Sequence, residues 1–594
     1  MRQTRIVNLI VVLISVGLAG AADAGPPLDL ERASLFGTSG DDDIQGACVA
    51  PDGTIYIAGN TGVRMKRVPG GAAPARLGDD AEKPMCGHGF VARLSPDGGC
   101  VLAYAEFGKG ILSLTTVKAN AKGVYVAGYA SAGLEQVLKD VPGLLREYPL
   151  REEIALLETG KWREAVGEDT SKPDPIPESR HGQLGRYGAP CVLRLSADLK
   201  AVQCGTYLEG WQQAWAKDRT YQRIRDPKTN KKRFIYVPTE FSWQPTHLSL
   251  LKSGDLVVCH DGGYFRLLTP DDRALVKKVG DPGLAKRLGF YDMCDHLSRL
   301  SPDLDQRVYT KQIYTPATNV AVAKRIKNGW PYPHYSSPRT HRMRLDSNDN
   351  IYICGWSASA TSREPWWSPY VWEISASDGS VIRKILETDP MSGGDNRMGG
   401  AVADRAIGAV AADRSNLFYS SYSDGGYSGL LHFSGTVYRT DKKTKAEKAK
   451  AKTAPCFWTV DLAAMPSNQV LVLGRCDGIQ TWPEDAWQQG APEEHPQAWL
   501  RVYNQNMEPA FTTAMRGVTP FALCELDSDR FMIVGRSHGT LQIHEQKEDG
   551  DVEESERSNP GVALVRGAIV DKPQGGDDGY FMIVNQPRTR RGER

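Results

Sequence analysis

The chain has 594 residues, 41% of them hydrophobic and 24% charged, the balance of a globular protein rather than a disordered or membrane-embedded one. With 72 Lys and Arg against 71 Asp and Glu the net charge is +1, so no global field draws it to nucleic acid or an anionic membrane, and neither partner is expected. The 60 glycines and 36 prolines, without a long helical period, favour many short strands joined by turns.

Residues 1–24 read as a signal peptide. Arg2 and Arg5 make a basic start, Ile6 to Gly20 is mostly apolar, and Ala22-Asp23-Ala24 supplies a small-x-small site before Gly25. No second long apolar stretch follows, so residues 25–594 are expected to be exported, extracellular or periplasmic, monomeric and without a membrane span.

The mature chain opens with ACVAPDGTIYIAGNTG (Ala47 to Gly62), which reads as a strand, a Pro51-Asp52-Gly53 turn and a second strand. The pattern returns at Leu114–Gly133, Thr246–Gly263 and His341–Ala358, and more loosely at Ile407–Gly426, Trp458–Gly478 and Pro520–Gly539. A second hairpin alternates with it, at Gly89–Gly108, Pro190–Gly210, Asp295–Tyr314, Tyr370–Glu387 and Ala498–Gly517. The fifth copy is blurred: SGTVYRTD (Ser434 to Asp441) supplies a strand, and the lysine-rich run to Lys452 reads as a solvated linker. Each unit therefore holds four strands, a to d. Seven such units predict an all-β fold, a seven-bladed β-propeller of four-stranded blades.

The ends complete each other. DGYFMIVNQP (Asp578 to Pro587) starts a second hairpin and stops, while ERASLFGTSGDD (Glu31 to Asp42) matches a d strand. The N-terminal strand is thus expected to close the last blade, which removes an open sheet edge.

The run SLFGTSGDDDIQGACVAPDGTIYIAGNT, followed by GFVARLSPDG and later by PQGGDDGYFMIV, resembles the bacterial secreted β-propeller repeat of the SBBP type. That resemblance implies the fold and export. It implies no catalytic residues, because the family pattern is structural.

Seven blades need roughly 280 to 350 residues, and the surplus falls in b–c and d–a connections. These are residues 134–187, 211–243, 267–291, 317–337, 479–496 and 541–577. Both kinds of connection leave a blade on the same side, so the long insertions should crowd one face around the channel mouth, where binding is carried by loops on a rigid scaffold. REEIALLETGKWREAV, within the first of them, has rough helical spacing.

Aromatics concentrate in these connections: Trp330, Tyr332, His334 and Tyr335; Trp366 and Trp367; Trp482 and Trp487. They can stack on a glycan or a peptide, or pack the insertions together. In unit three, His260 and Asp261 end strand b while Asp292, Asp295 and His296 precede or begin strand c. His260, Asp261, Asp292 and His296 are candidate ligands for a divalent metal, the only cofactor suggested; the alternative is a hydrogen-bonded network at the blade top. Gly535-Arg536-Ser537-His538-Gly539 fits G-x-S-x-G, yet it ends a b strand with no helix after it, so a structural role is expected.

Of eleven cysteines, Cys191–Cys204, Cys456–Cys476 and Cys259–Cys294 are candidate disulfides, since each pair flanks a hairpin or a blade top. Cys354 aligns with Ala58 and Ala127 and is expected to be a small buried residue. The function expected from all this is an exported binding or scaffold protein that recognises a glycan or protein on its insertion face. The alternative is an extracellular hydrolase or lyase acting on polysaccharide at the channel mouth, with its catalytic residues unknown.

Overall fold

A computed structural model describes residues 28–38, 42–63, 65, 74–77, 88–108, 110–138, 141, 187–208, 212–213, 215–225, 232–242, 246–261, 295–313, 338–359, 366–387, 405–423, 435–453, 457–476, 498–515, 517–538, 540–546, 552–558 and 578–586. Seven antiparallel sheets, each with four strands in a-b-c-d order, follow one another along the chain. Blade one runs Asp42–Val49, Ile55–Thr61, His88–Leu94 and Val101–Phe107. Blade seven takes its first three strands from Val518–Glu525, Arg530–Ser537 and Asp578–Asn585, and its fourth from Asp29–Phe36. The N-terminal closure read from the sequence is therefore present, with Asp29 opposite Asn585 and Phe36 opposite Gly579. Leu35 and Phe36 are buried there, each contributing roughly 1.5–3 kcal/mol.

One backbone device recurs in the innermost hairpin. In six blades strand a carries a bulge, at Gln45, Thr115, His341, Gly408, Val460 and Phe521. The extra residue drives the preceding carbonyl toward strand b, where Gly59, Gly128, Gly355, Gly474 and Gly535 sit opposite in five blades. A Cβ at Gly59 would collide with the Asp43 carbonyl oxygen, and one at Gly128 with that of Ser113. The small residue that ends each apolar run in the sequence is thus the receptor of the bulge. Blade three pairs without a register shift between its a and b strands, and His260 stands at the glycine's position.

The c–d turns share a second device. Gly98, Leu199, Leu304, Gly379, Lys445 and Met507 occupy the left-handed region at φ 56–71°, one in each of six blades. Leu199, Leu304 and Met507 are buried, and that burial offsets a backbone cost of about 1–2 kcal/mol.

This turn overturns the disulfide expectation. Ser196 N–H bonds Ala201 O, which makes the turn six residues long, and a bulge follows between Val202 and Cys204. Cys191 then faces Tyr207 and Cys204 faces Arg194, and the two thiols lie in different apolar clusters. Among the described residues no Sγ–Sγ pair lies near disulfide distance, and Cys191, Cys204 and Cys354 are free thiols. Cys294 and Cys456 lie outside the described residues, as does the side chain of Cys476. Cys354 is a fully buried small residue, as its alignment indicated.

The lysine-rich run is also not a linker. Glu447–Lys452 is the d strand of blade five, pairing with Thr436–Asp441. Ala449 and Ala451 turn inward while Lys448, Lys450 and Lys452 are exposed, so the period is two.

The insertions hold strands of their own. Pro74–Leu77 adds a parallel fifth strand outside blade one. Trp215–Arg225 and Lys232–Ser242, from the connection between blades two and three, pair into one sheet with Thr540–Gln546 and Val552–Ser558, from the b–c connection of blade seven. Two connections so far apart in the chain can share a sheet only by leaving the ring on the same face. A short helix, Leu134–Leu138, opens the first insertion.

At the closure, the Asp42 and Asp578 carboxylates are buried on either side of Gly37. Burial pushes Asp42 up to about 7, against hydrogen bonds from Thr61 and Thr38, and the Asp578 charge adds to the rise. The folded protein therefore keeps a proton that the unfolded chain releases near pH 4, and stability falls as pH rises between those values.

Two measurements follow from this frame. Gly128→Ala should lower the unfolding free energy by about 2–4 kcal/mol in denaturant titration, whereas an unchanged midpoint would deny the bulge contact. The destabilisation caused by Asp42→Asn should be larger at pH 5 than at pH 8, by about 2 kcal/mol; an equal effect at both would refute the raised proton affinity.

Candidate functional site

The a strands of all seven blades surround a central channel of about 640 Å³. That volume suits a small ligand or the end of a larger one. All six bulged residues line it. Each a strand runs from the insertion face to the short-turn face, so register sorts the lining by depth. Asn60, Arg475 and Arg536 lie toward the insertion face, His247, Arg342 and Asp461 at mid-depth, and Lys118, Arg344 and Glu525 toward the short turns.

Mid-depth is spanned by charge. Asp461 of blade six is fully buried; it accepts Arg344 Nη2 at 2.5 Å and lies 3.5 Å from Arg342 Nε, both arginines reaching across from blade four. Its carboxylate also accepts the Leu462 and Leu523 N–H groups at 2.9 Å. Arg342 donates to the Phe521 carbonyl and Arg344 to the Leu523 carbonyl, so blades four, six and seven are joined through the channel. Small residues on the facing strands, Gly46, Gly408 and Ala522, leave room for these long side chains. His247 is buried and its Nε2 has no hydrogen-bond partner among the described residues; burial, then the Arg342 and Arg344 charges, hold it well below the usual imidazole range and so neutral.

Nearer the insertion face, Arg536 of blade seven pairs with Asp43 of blade one at 2.8 Å, with little exposure of either. Asp43 also accepts Asn60 Nδ2 at 2.9 Å, and Asn60 Oδ1 accepts Leu114 N–H at 3.0 Å, so one polar chain crosses three blades. The side chains of Lys118 and Arg475 make no ion pair or hydrogen bond among the described residues. Burial raises the Glu525 carboxyl, and the Arg344 and Lys118 charges partly oppose this.

The residues singled out in the sequence fall elsewhere. His260 and His296 stand opposite each other in strands b and c of blade three, their rings stacked at 5.6 Å. His260 Nε2 lies 3.4 Å from Ser298 Oγ, which bonds Thr310 Oγ1 at 2.9 Å, while the Asp295 carboxylate accepts the Thr340 N–H of blade four. Asp261 pairs with Asp295 along the backbone; its side chain and all of Asp292 lie outside the described residues. Among the described residues no three His, Cys, Asp or Glu side chains gather as a metal-ligand set. Trp330, His334, Tyr335, Trp482 and Trp487 lie outside the described residues, and Trp366 and Trp367 are placed only as backbone of a strand. Ser537 of the G-x-S-x-G run ends strand b; His538 is buried, its Nε2 2.7 Å from Thr519 Oγ1.

Sequence reasoning did not single out the channel residues. The available signal was charge inside the repeat: HRMRL, TVKAN and TVDLA place Arg342, Arg344, Lys118 and Asp461 within strands that should otherwise be small and apolar.

Among the described residues, no helix is long and apolar enough to cross a membrane. Asp461→Ala would leave two arginines without their counter-ion, so a loss of about 3–5 kcal/mol in denaturant titration is expected, and a loss under 1 kcal/mol would show that the bridge is dispensable.

No family model and no curated protein matches the chain. Among solved structures it is similar to the Dos1 propeller, at 9% identity over 94% of this chain and 96% of that one, TM-score 0.36. It is also similar to a protein from Lactobacillus plantarum, at 9% identity over 90% and 87% with TM-score 0.27, and to a hypothetical selenium-binding protein from Sulfolobus tokodaii, at 10% over 93% and 98% with TM-score 0.30. The chain is a seven-bladed β-propeller closed by its own N-terminal strand.

Proposed function

We propose that this protein is an exported binding or scaffold propeller, whose insertion face recognises a glycan or protein ligand over the channel mouth. The observation that carries the reading is the four-stranded sheet built from two distant insertions. Tolerated decoration has no reason to pair across the ring, whereas a recognition surface needs its loops held in one arrangement. The basic, apolar, small-x-small start of the chain and the likeness of its repeat to the SBBP type support export.

The channel supports binding over acid–base chemistry. Asp461 and Asp43, two of its carboxylates, are each engaged by arginine and by backbone or amide donors. A group engaged in this way is fixed in position by its partners.

The test replaces residues 215–242 by a short Gly-Ser turn and screens both proteins on a glycan array and against immobilised candidate proteins. Wild type should show a ligand that the shortened variant loses at least tenfold, with melting temperature kept. Release of reducing ends from a polysaccharide panel by wild type would make the protein an enzyme and overturn the reading.

A further inference from the structure

The outermost strand of blade five has a composition that the ring does not require. Within Asp441–Lys452 six lysines stand against two acids. Lys442 is taken up by the buried Asp346, at 2.7 Å. Lys443, Lys445, Lys448, Lys450 and Lys452 are exposed. Lys448 and Lys450 reach Asp441 and Glu447 at 3.0 and 3.1 Å, pairs that contribute little in water. Lys443 and Lys452 have no acidic partner among the described residues.

Blade four extends the strip. Lys445 Nζ donates to the Lys384 carbonyl at 3.0 Å and Arg383 Nη1 to the Lys443 carbonyl at 3.1 Å, so the two blade rims are joined. Lys384 is exposed and sits over the Trp372 ring at 5.1 Å. Strand geometry places Lys450 and Lys452 on one side about 7 Å apart, while Lys448 precedes them at a bulge, its Nζ donating to Asn416 Oδ1 at 3.0 Å.

Lysines on an edge strand also discourage sheet-to-sheet aggregation. That need is common to all seven rims, yet the outer strands Val101–Phe107, Val202–Tyr207 and Pro509–Met515 contain no lysine or arginine, Asp29–Phe36 contains one, Arg307–Gln312 and Val381–Glu387 contain two each, and Glu447–Lys452 contains three. The concentration on the rims of blades three to five, highest on blade five, in a chain of net charge +1, therefore asks for a partner of its own.

We infer that this rim is a docking surface for an extended acidic polysaccharide, a polymer with carboxylates or sulfates at regular intervals. A rim of exposed, flexible point charges along an outer strand matches such a polymer in charge. A single-stranded nucleic acid would want aromatic platforms for its bases. Here the row is flanked by Ala449 and Ala451, and the nearby Trp372 is buried. The surface is separate from the insertion face, so it would hold the propeller on a matrix while the channel mouth stays free.

The test uses full-length protein, immobilised polygalacturonate and a single-stranded oligodeoxynucleotide at about 50 mM salt, where such contacts are strong. Wild type should bind polygalacturonate, more tightly than the oligonucleotide, and release it as salt rises. The triple variant Lys448→Gln, Lys450→Gln, Lys452→Gln should lose at least tenfold in affinity. The matching triple Lys→Arg variant, and separately Lys118→Gln in the channel, should retain it. Equal binding by the Gln variant, tighter binding of the oligonucleotide, or no binding by wild type would each overturn the assignment. Melting temperatures guard against misfolding, and if the triple Gln variant melts early the Lys450→Gln single variant carries the comparison.

Discussion

The bulge of the innermost strand, seated against a glycine of its neighbour, is the constraint on which the rest of this molecule depends. Seven sheets must bring their a strands together around an axis. In six of them one extra residue turns into that space and sharpens the local twist. The same insertion presses a carbonyl onto strand b, which then tolerates no side chain at Gly59, Gly128 or Gly535. Scaffold and cavity thus arise from a single local deformation. The channel is lined at Gln45, Thr115, His341, Gly408, Val460 and Phe521 because the bulges are there.

Between blades, polar groups fix what apolar packing leaves free to slide. Tyr56 OH reaches the Ala197 carbonyl at 2.7 Å and Tyr125 OH the Pro302 carbonyl at 2.9 Å, each extending from one blade to the c–d turn of the next. Arg299 does the same to Ala376 at 3.0 Å, and Arg530 to Pro96 at 3.0 Å, across the closure. Apolar clusters that bridge adjacent blades supply most of the adhesion. Directional bonds at the seams set the register between sheets.

The fold was legible because turns and apolar runs repeat at a steady spacing, and because the two chain ends carry complementary halves of one unit. What stayed hidden has physical causes. Cys191 and Cys204 looked symmetric about Ala197-Asp198, but a buried left-handed Leu199 lengthens the turn and a bulge moves the register again. Glu447–Lys452 looked like linker because its inward residues are alanines, too small to announce a strand by hydrophobicity. The channel escaped because its charges are scattered over strands from different blades, and only three-dimensional closure brings Arg342 and Arg344 to Asp461. His260 and His296 did meet, as their places in the hairpins implied, within the sheet of blade three.

The closing strand also sets a clock. Asp29–Phe36 is made about 540 residues ahead of its partner Asp578–Asn585. At about 5–20 residues per second, the first strand waits roughly half a minute to two minutes for the ladder it will complete. The sheet that pairs Arg233 with Glu545 waits a little more than half as long. Both contacts are far more distant in sequence than the hairpins within blades, so they should form last and slowly. Until then, blade seven and the first strand each present an unpaired edge. A protein built in this way depends on its chain being kept apart from its neighbours until the ring is shut.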